Sequence, residues 1–410
     1  MLTKDITIQH LETENDVEQH LELMRSVFGQ NSRVDLQVRK WIEHHPTMTL
    51  KDFFVVKHSD KIIACVNLIP LKWSIGGVPL KVAEPACVAT LPEYRRCGLQ
   101  RELMREYHKK VSEEGYDLSV IEGIPYYYRQ FGYEYALPLQ EETRIDINKI
   151  PDYKSVHAIR PFTGKDIPRA EQLLAQAQER FYVHSVRDEG IWKMQEETGM
   201  VAEYEFEGFA VEKDEEMGGC FRTSENAENK ELVLRESTDV DQGMAQSIIS
   251  FLKQTGKERS LETLVATTGY TDSFTEHLMA TGEARQNRPY AWQLRVTDYV
   301  SMFLKMKMLL EKRLAMSTFR HLTGKLNFNF YRYTVQVSLE DGTVTDVRRL
   351  ETNEDRTMRF NPAVFTQLLF GYRDRAELEN VYQDFLVRPS HRHLIDVLFP
   401  KLPSYIHTDY

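Results

Sequence analysis

A strand-like run, PACVATLP (Pro85–Pro92), leads through Glu93 into YRRCGLQRELM (Tyr94–Met104), where two arginines, a small residue and a glycine pass directly into leucines and a methionine at helical spacing. Strand, basic turn, helix is a constraining order. A helix start leaves backbone N–H groups without intrahelical partners and carries partial positive charge. A glycine in the turn lets an anion approach closely, and Arg95, Arg96 and Arg101 add charge complementarity. Such a turn can cradle a pyrophosphate. The six residues Arg95-Arg96-Cys97-Gly98-Leu99-Gln100 fit equally well an amphipathic helix with a solvated basic start.

The surroundings of that turn repeat the strand and helix rhythm. In residues 1–150, ITIQHL reads as a strand, and ENDVEQHLELMRSVFG places Val17, Leu21, Met24, Val27 and Phe28 on one helical face. Three strands follow with turns at Ser59-Asp60 and Gly76-Gly77, then the basic turn and a helix carrying Leu99, Leu103, Met104, Tyr107 and Val111. YDLSVIEG is a strand, and YYYRQFGYEYAL a helical turn followed by a strand. Residues 151–290 restart the pattern: strand-loop-helix in HAIRPFTGKDIPRAEQLLAQA, then two more strand-helix pairs. This second segment looks like a degenerate copy of the first. It has no basic glycine turn between strand and helix, so it is not expected to hold the same ligand. Residues 291–410 change character, with an apolar helical region, strands of period two across an Asp341-Gly342 hairpin turn, and an apolar tail reaching Tyr410. Sheet plus apolar helices suggests a lid or an apolar cavity. The expected class is α/β, or α+β, in three domains over 1–150, 151–290 and 291–410.

Composition narrows the partners. The chain has 410 residues and a formal net charge of -10, which gives no drive for general nucleic-acid binding but can attract a cation. Its four cysteines form no CxxC pair and read as reduced thiols in a cytoplasmic protein. No secretory leader or membrane span is expected. His391 and His393 flank Arg392 and could share one face of a strand, but with no third ligand nearby no metal site is expected. EYEFEGF sets Glu203, Glu205 and Glu207 against Tyr204 and Phe206; it reads as a half-exposed strand or an acidic rim for a polyamine or aminoglycoside.

The basic turn is similar to the R-x-x-G-x-G/A pattern of GNAT acetyltransferases, with Gln100 where that pattern has Gly or Ala. VATLPEYRRCGLQRELM and YYYRQFGYEYA together resemble the Eis-type (enhanced intracellular survival) branch of that family. The resemblance implies tandem GNAT-like mixed-sheet domains followed by a sterol-carrier-protein-like domain, and a homo-oligomer, often a hexamer. It implies acetyl-CoA as co-substrate. Backbone groups of Val88, Ala89 and Thr90 would pair with its pantetheine arm, and amides from Arg96 through Cys97, Gly98, Leu99 and Gln100 to Arg101 would hold its pyrophosphate. Gly123 and Ile124 would line the other side of a splay between strands. Tyr128 would act as general acid, the C-terminal carboxylate of Tyr410 as general base, and Phe28 and Trp41 would meet the acceptor, core packing being an equal reading for those two.

The resemblance thus implies direct transfer from the thioester to a primary amine of a small cationic acceptor. A phenol of pKa ~10 facing a thiol near ~8.5 makes Tyr128 chiefly a strong hydrogen-bond donor. A free α-carboxyl of pKa ~3.5 is far too weak a base to deprotonate an ammonium directly, so burial or a relaying water is required. Cys97 beside basic residues could be acidified, though the transfer needs no cysteine nucleophile. Two rival functions remain: acetylation of protein lysines, and a non-enzymatic lipid or sterol carrier working through residues 291–410. The absence of GxGxxG argues against a dinucleotide site.

Overall fold

The computed structural model describes residues 5–139, 141–214, 216–267, 273–287, 290–352 and 354–407. Strand β1 (Ile6–His10) is followed by helix α1 (Glu14–Phe28), which Thr13 opens with a capping box shared with Asp16. Helix α2 (Val34–His44) buries Val38 and Trp41. Strands β2 (Phe53–His58), β3 (Lys61–Ile75) and β4 (Val78–Thr90) form an antiparallel meander, turning at the two sites expected from the sequence. Helix α3 (Leu99–Glu113) packs its Leu99, Leu103, Met104, Tyr107 and Val111 stripe on the sheet. Strand β5 (Leu118–Ile121) lies parallel to β4, and β6 (Glu134–Pro138) completes the segment.

Three strands cross the boundaries expected from the sequence; one of them, Val183–Ser185 of the second segment, pairs antiparallel with the far end of β3 in the first sheet. Ala291–Val296 inserts antiparallel between β5 and β6, so the strand opening the third segment belongs to the first sheet. Thr143–Asp146 leaves the first segment and pairs with Thr263–Ala266 in the second sheet. That sheet runs Arg285–Gln286, Thr143–Asp146, Thr263–Ala266, Glu231–Ser237, Glu216–Asn226, Glu207–Lys213, Ala158–Pro161. The exchange ties the first two sheets together through backbone hydrogen bonds.

The third sheet contains Gly324–Asn329, Thr334–Glu340 and Thr343–Leu350 with two short strands, covered by helices. An apolar cavity was one expectation here. Instead Phe303, Phe328, Phe330, Phe360, Phe365 and Phe399, each at most 1% exposed, pack against one another in mostly tilted and edge-to-face pairs. Their neighbouring centroids stand 4.6 to 6.3 Å apart, the range of favourable aromatic pairs. Burying each such ring contributes about 1.5–3 kcal/mol, and a lipid would have to displace several of them. His391 and His393 sit in the helix Pro389–Leu398, not a strand, so their spacing turns them to different faces. Among the described residues, no group of three His, Cys, Asp or Glu side chains is placed to hold a metal, and no helix is long and apolar enough to cross a membrane.

Candidate active site

β4 and β5 pair at only two positions, Val82 with Leu118 and Ala83 with Ser119. Beyond them β5 is held on its other side, Val120 by Leu294 and Ile121 by Gln293, while β4 stays with β3. The two parallel strands therefore part from Glu84 onward and leave a notch between neighbours in one sheet. Inside it β4 bulges. Cys65 pairs with Ala89 and Asn67 with Ala86, so Cys87 and Val88 together oppose Val66. Cys87 sits at φ 48°, a left-handed conformation that re-aims the adjoining peptide groups. The backbone of Val88, Ala89 and Thr90 forms this open edge.

The basic turn stands at the end of that edge. Arg96 (φ 64°) and Gly98 (φ 80°) both take left-handed conformations and swing the chain from β4 into α3. No side chain caps the helix start, so its first N–H groups face outward. Arg95, Arg96, Cys97, Gly98 and Arg101 are exposed, whereas Arg105 one turn on is occupied by Glu102 and Glu106. Leu99 is buried and fixes the first turn from beneath. Gln100 turns its amide back onto the strand, Nε2 donating to Ala89 O at 2.7 Å, Thr90 Oγ1 at 2.9 Å and Cys65 O at 3.1 Å. The larger residue at this position thus clips helix to strand, leaving its own backbone amide at the helix start.

The far wall is Gly123 with Tyr128. Gly123 O accepts from Tyr290 Oη at 2.8 Å and Gln293 Nε2 at 2.9 Å, which pins the end of β5. A Cβ at Gly123 would come 2.2 Å from the Tyr128 ring, so only glycine permits this packing. Tyr128 lies in the short turn Tyr127–Phe131, 5% exposed, against Tyr127 and Tyr133. Burial, then Tyr127, Tyr133, Glu84 and Cys87, push its hydroxyl well above the usual tyrosine range. It stays protonated and can only act as a donor toward a developing anion. Ile124, at 65% exposed, lies at the mouth.

Other expected residues fall elsewhere. Trp41 is wholly buried in the core, so it offers no surface to an acceptor; α2 needed that ring to seal against α1 and the sheet. Phe28 ends α1 at 40% exposed. Tyr410 lies outside the described residues. The tail before it is docked, not frayed. Tyr182 N–H donates to Pro403 O at 2.7 Å and Tyr405 N–H to Val183 O at 3.0 Å; Ser185 Oγ bonds both the N–H and the carbonyl of His407, at 3.1 and 3.0 Å. Tyr405 and His407 line a cavity of about 200 Å³ together with Tyr204, Arg235 and Glu236.

A hairpin from the second segment, Met200–Val201 with Tyr204–Glu205, closes over the first. Buried Lys40 of α2 donates to Met200 O and Ala202 O, both at 3.3 Å, and Arg33 pairs with Glu205 at 2.5 Å. Burial lowers Lys40 to about 8. The hairpin carries Glu203 toward Cys87 and toward Glu122 at the end of β5. A cleft of about 670 Å³ opens beside it, lined by Glu203, Glu205, Glu207, Glu225 and Glu228 together with Arg33, Arg235 and Arg259, so carboxylates outnumber guanidiniums. The EYEFEGF segment thus lies in two half-exposed strands beside this cleft, where Glu205 is paired with Arg33 and Glu207 and Glu225 with Arg259. Sequence reasoning missed Glu122. Its only signal was a carboxylate at the carboxyl end of a central strand, the place where open α/β sheets put their ligands.

Residues 8–136 match the family described as acetyltransferase (GNAT) domain. No curated protein sequence matches the chain. Among solved structures, a GCN5-related N-acetyltransferase from Anabaena variabilis shares 15% identity over 99% of this chain and 100% of that one, with a TM-score of 0.74. One from Kribbella flavida shares 19% over 99% and 100%, with a TM-score of 0.72. Eis1 from Mycobacterium abscessus shares 14% over 99% and 100%, with a TM-score of 0.63. At these identities the likeness is one of fold, and it extends over the full length of the chain, tandem sheets and third segment included. The splayed strands, the uncapped basic helix start and the family match agree: residues 8–136 of this chain are a GNAT acetyltransferase domain, and the protein is an acyltransferase.

Proposed function

We propose that the chain transfers acetyl from acetyl-CoA directly to a primary amine of a small cationic acceptor. The observation that carries this reading is the notch between β4 and β5, with Tyr128 on one wall and an uncapped basic helix start at its end. Backbone groups of Val88, Ala89 and Thr90 receive the pantetheine arm as an added strand would. Amides from Arg96 to Arg101 hold the pyrophosphate, with Arg95, Arg96 and Arg101 neutralising its charge. The bulge at Cys87 turns N–H donors toward the thioester carbonyl, where negative charge develops. Tyr128 donates its hydrogen to the departing thiolate. The acidic cleft draws a cationic amine to the open side.

The family resemblance assigns proton removal to the carboxylate of Tyr410, and the docked tail leads to a cavity that shares Tyr204 with the acidic cleft. The test is thiol release from acetyl-CoA with a panel of polyamines and aminoglycosides. Amine-dependent release is expected. No release with any amine, and no acetyl-CoA binding by calorimetry, would contradict the reading.

A further inference from the structure

A second cavity, of about 440 Å³, lies at the other end of the β4–β5 seam from the notch. Lys81, on its wall, directly precedes the two paired positions, and Tyr116 stands just ahead of β5. The seam is closed there. Lys81 N–H donates to Asp117 Oδ2 at 2.7 Å, and Asp117 N–H to Lys81 O at 2.8 Å. The second segment supplies the opposite wall with Val186, Asp188 and Ile191. Val186 N–H donates to Lys72 O, and Lys72 Nζ to Asp188, both at 2.7 Å, which ties that wall to β3. Such a volume falls in the range of about 300–1,000 Å³ that small-molecule sites occupy. We propose that this cavity, at the junction of the first two segments, is a second ligand site and takes a small aliphatic carboxylate.

The lining names the ligand's chemistry. Pro46, Pro70, Leu71, Val186 and Ile191 offer aliphatic surface, and Val186 is left 40% exposed. Around them stand four ammoniums, of Lys51, Lys72, Lys81 and Lys110, and three carboxylates, of Asp52, Glu114 and Asp188. The cavity is thus positive in a chain of net charge -10. Asp52 and Asp188 are already engaged. Lys110 Nζ lies 2.7 Å from Asp52, and Lys72 Nζ 2.7 Å from Asp188. Asp52 also accepts from Thr49 N–H at 2.7 Å, and Asp188 from Ile191 N–H at 3.0 Å. Lys51 and Lys81 have no carboxylate partner among the described residues. Lys81 Nζ donates only to Glu114 O at 2.8 Å and sits 4.0 Å from the centre of the Tyr116 ring.

His45, 8% exposed, lines the same cavity. Its Nδ1 accepts from Thr47 N–H at 3.3 Å and Met48 N–H at 3.1 Å. Burial lowers its pKa to about 4, so the ring is neutral and carries its proton on Nε2. Nε2 has no partner among the described residues, and a buried donor is costly to leave unpaired. An oxygen anion with an aliphatic body answers each of these features. Its charge meets Lys51 and Lys81, and its body covers the apolar wall. A cation is repelled, and a neutral chain leaves both ammoniums unpaired. The strands are zipped between this cavity and the notch, so both can be filled at once.

The test is calorimetry of the full chain with decanoate, alone and with acetyl-CoA present, and with decanol and decyltrimethylammonium as neutral and cationic counterparts. One decanoate should bind per chain, with the same affinity when acetyl-CoA is present. Decanol should bind about tenfold more weakly, and decyltrimethylammonium not at all. Lys51→Glu should weaken decanoate binding about tenfold. Val186→Trp, which fills the cavity, should abolish it. Both variants should keep a single cooperative melting transition, which shows that they are folded. No decanoate binding to the unaltered chain would overturn the proposal. So would decanoate that competes with acetyl-CoA, that binds no better than decanol, or that binds Lys51→Glu as tightly as the unaltered chain. None of these results touches the acetyltransferase reading, which stands or falls on thiol release.

Discussion

The two mixed sheets share an order of parallel strands around a helix, yet they treat that junction in opposite ways. In the first, β4 and β5 pair at two positions and separate. In the second, Glu231–Ser237 and Thr263–Ala266 pair at four, and Thr267 N–H extends the seam by donating to Leu234 O at 2.9 Å. The helices differ as sharply. α3 begins with Gly98 and no side-chain cap, whereas the helix Gln242–Glu258 is capped by Asp241, which accepts from Met244 N–H at 2.9 Å and is held by Lys213 at 2.6 Å. That carboxylate stands where an anion would sit. The second copy has thus satisfied internally the groups that the first leaves open. A ligand site here is hydrogen bonding withheld from the fold.

The comparison can be broken most directly at Gly98. Gly98→Asp puts a carboxylate at the first helix start, on a backbone of φ 80° that disfavours side chains, and should weaken acetyl-CoA binding about 100-fold by calorimetry. Tyr128→Phe should lower turnover by about 100-fold in the thiol-release assay while acetyl-CoA affinity stays the same. Undiminished turnover would remove Tyr128 from the chemistry. Arg96→Ala should weaken acetyl-CoA binding about tenfold, and less so at high salt.

Acid should act on the second copy and the tail that docks against it. Arg187 binds Glu236 through two hydrogen bonds, at 2.9 and 2.6 Å, beside buried His407. Burial lowers His407 to about 4, so its neutral form stabilises the fold above pH 6.5, and that stability is lost as pH falls toward 4. Arg187 and Arg222, against the cost of burial, lower Glu236 to about 2; its contribution is present above 4.5 and is lost between there and 2. Melting temperature should therefore fall steadily below pH 6.5, and Glu236→Gln should flatten the lower part of that fall. The smallest effect is expected from Asp241→Ala. It should cost about 1 kcal/mol of stability in denaturant titrations and create no second acetyl-CoA site, because the strands above it remain zipped.

Much of this was legible locally. The turns at Ser59-Asp60, Gly76-Gly77 and Asp341-Gly342, the stripe on α3 and the basic glycine turn are all patterns of a few residues, and the structure places them as read. The second segment's lack of a basic glycine turn is likewise a local pattern, and the structure has Asp241 capping the helix at that place. What was not legible depends on distant partners. The notch opens because Ala291–Val296 holds β5 from the other side, and nothing near β5 announces that strand. Glu122 is raised toward neutrality first by burial and then by Glu203, and neither is announced by its neighbours in sequence. Trp41 reads the same in sequence whether it seals a core or lines a pocket. The apolar third segment suggested a cavity, but hydrophobicity alone does not reveal that its phenylalanines fill the space between them.

The contrast between an open and a closed copy is tested most directly by the calorimetric stoichiometry of acetyl-CoA binding, measured for the unaltered chain, Gly98→Asp and Asp241→Ala. One site per chain, lost in the first variant and untouched in the second, is the predicted result. Two sites in the unaltered chain, or one site that survives Gly98→Asp, would contradict it.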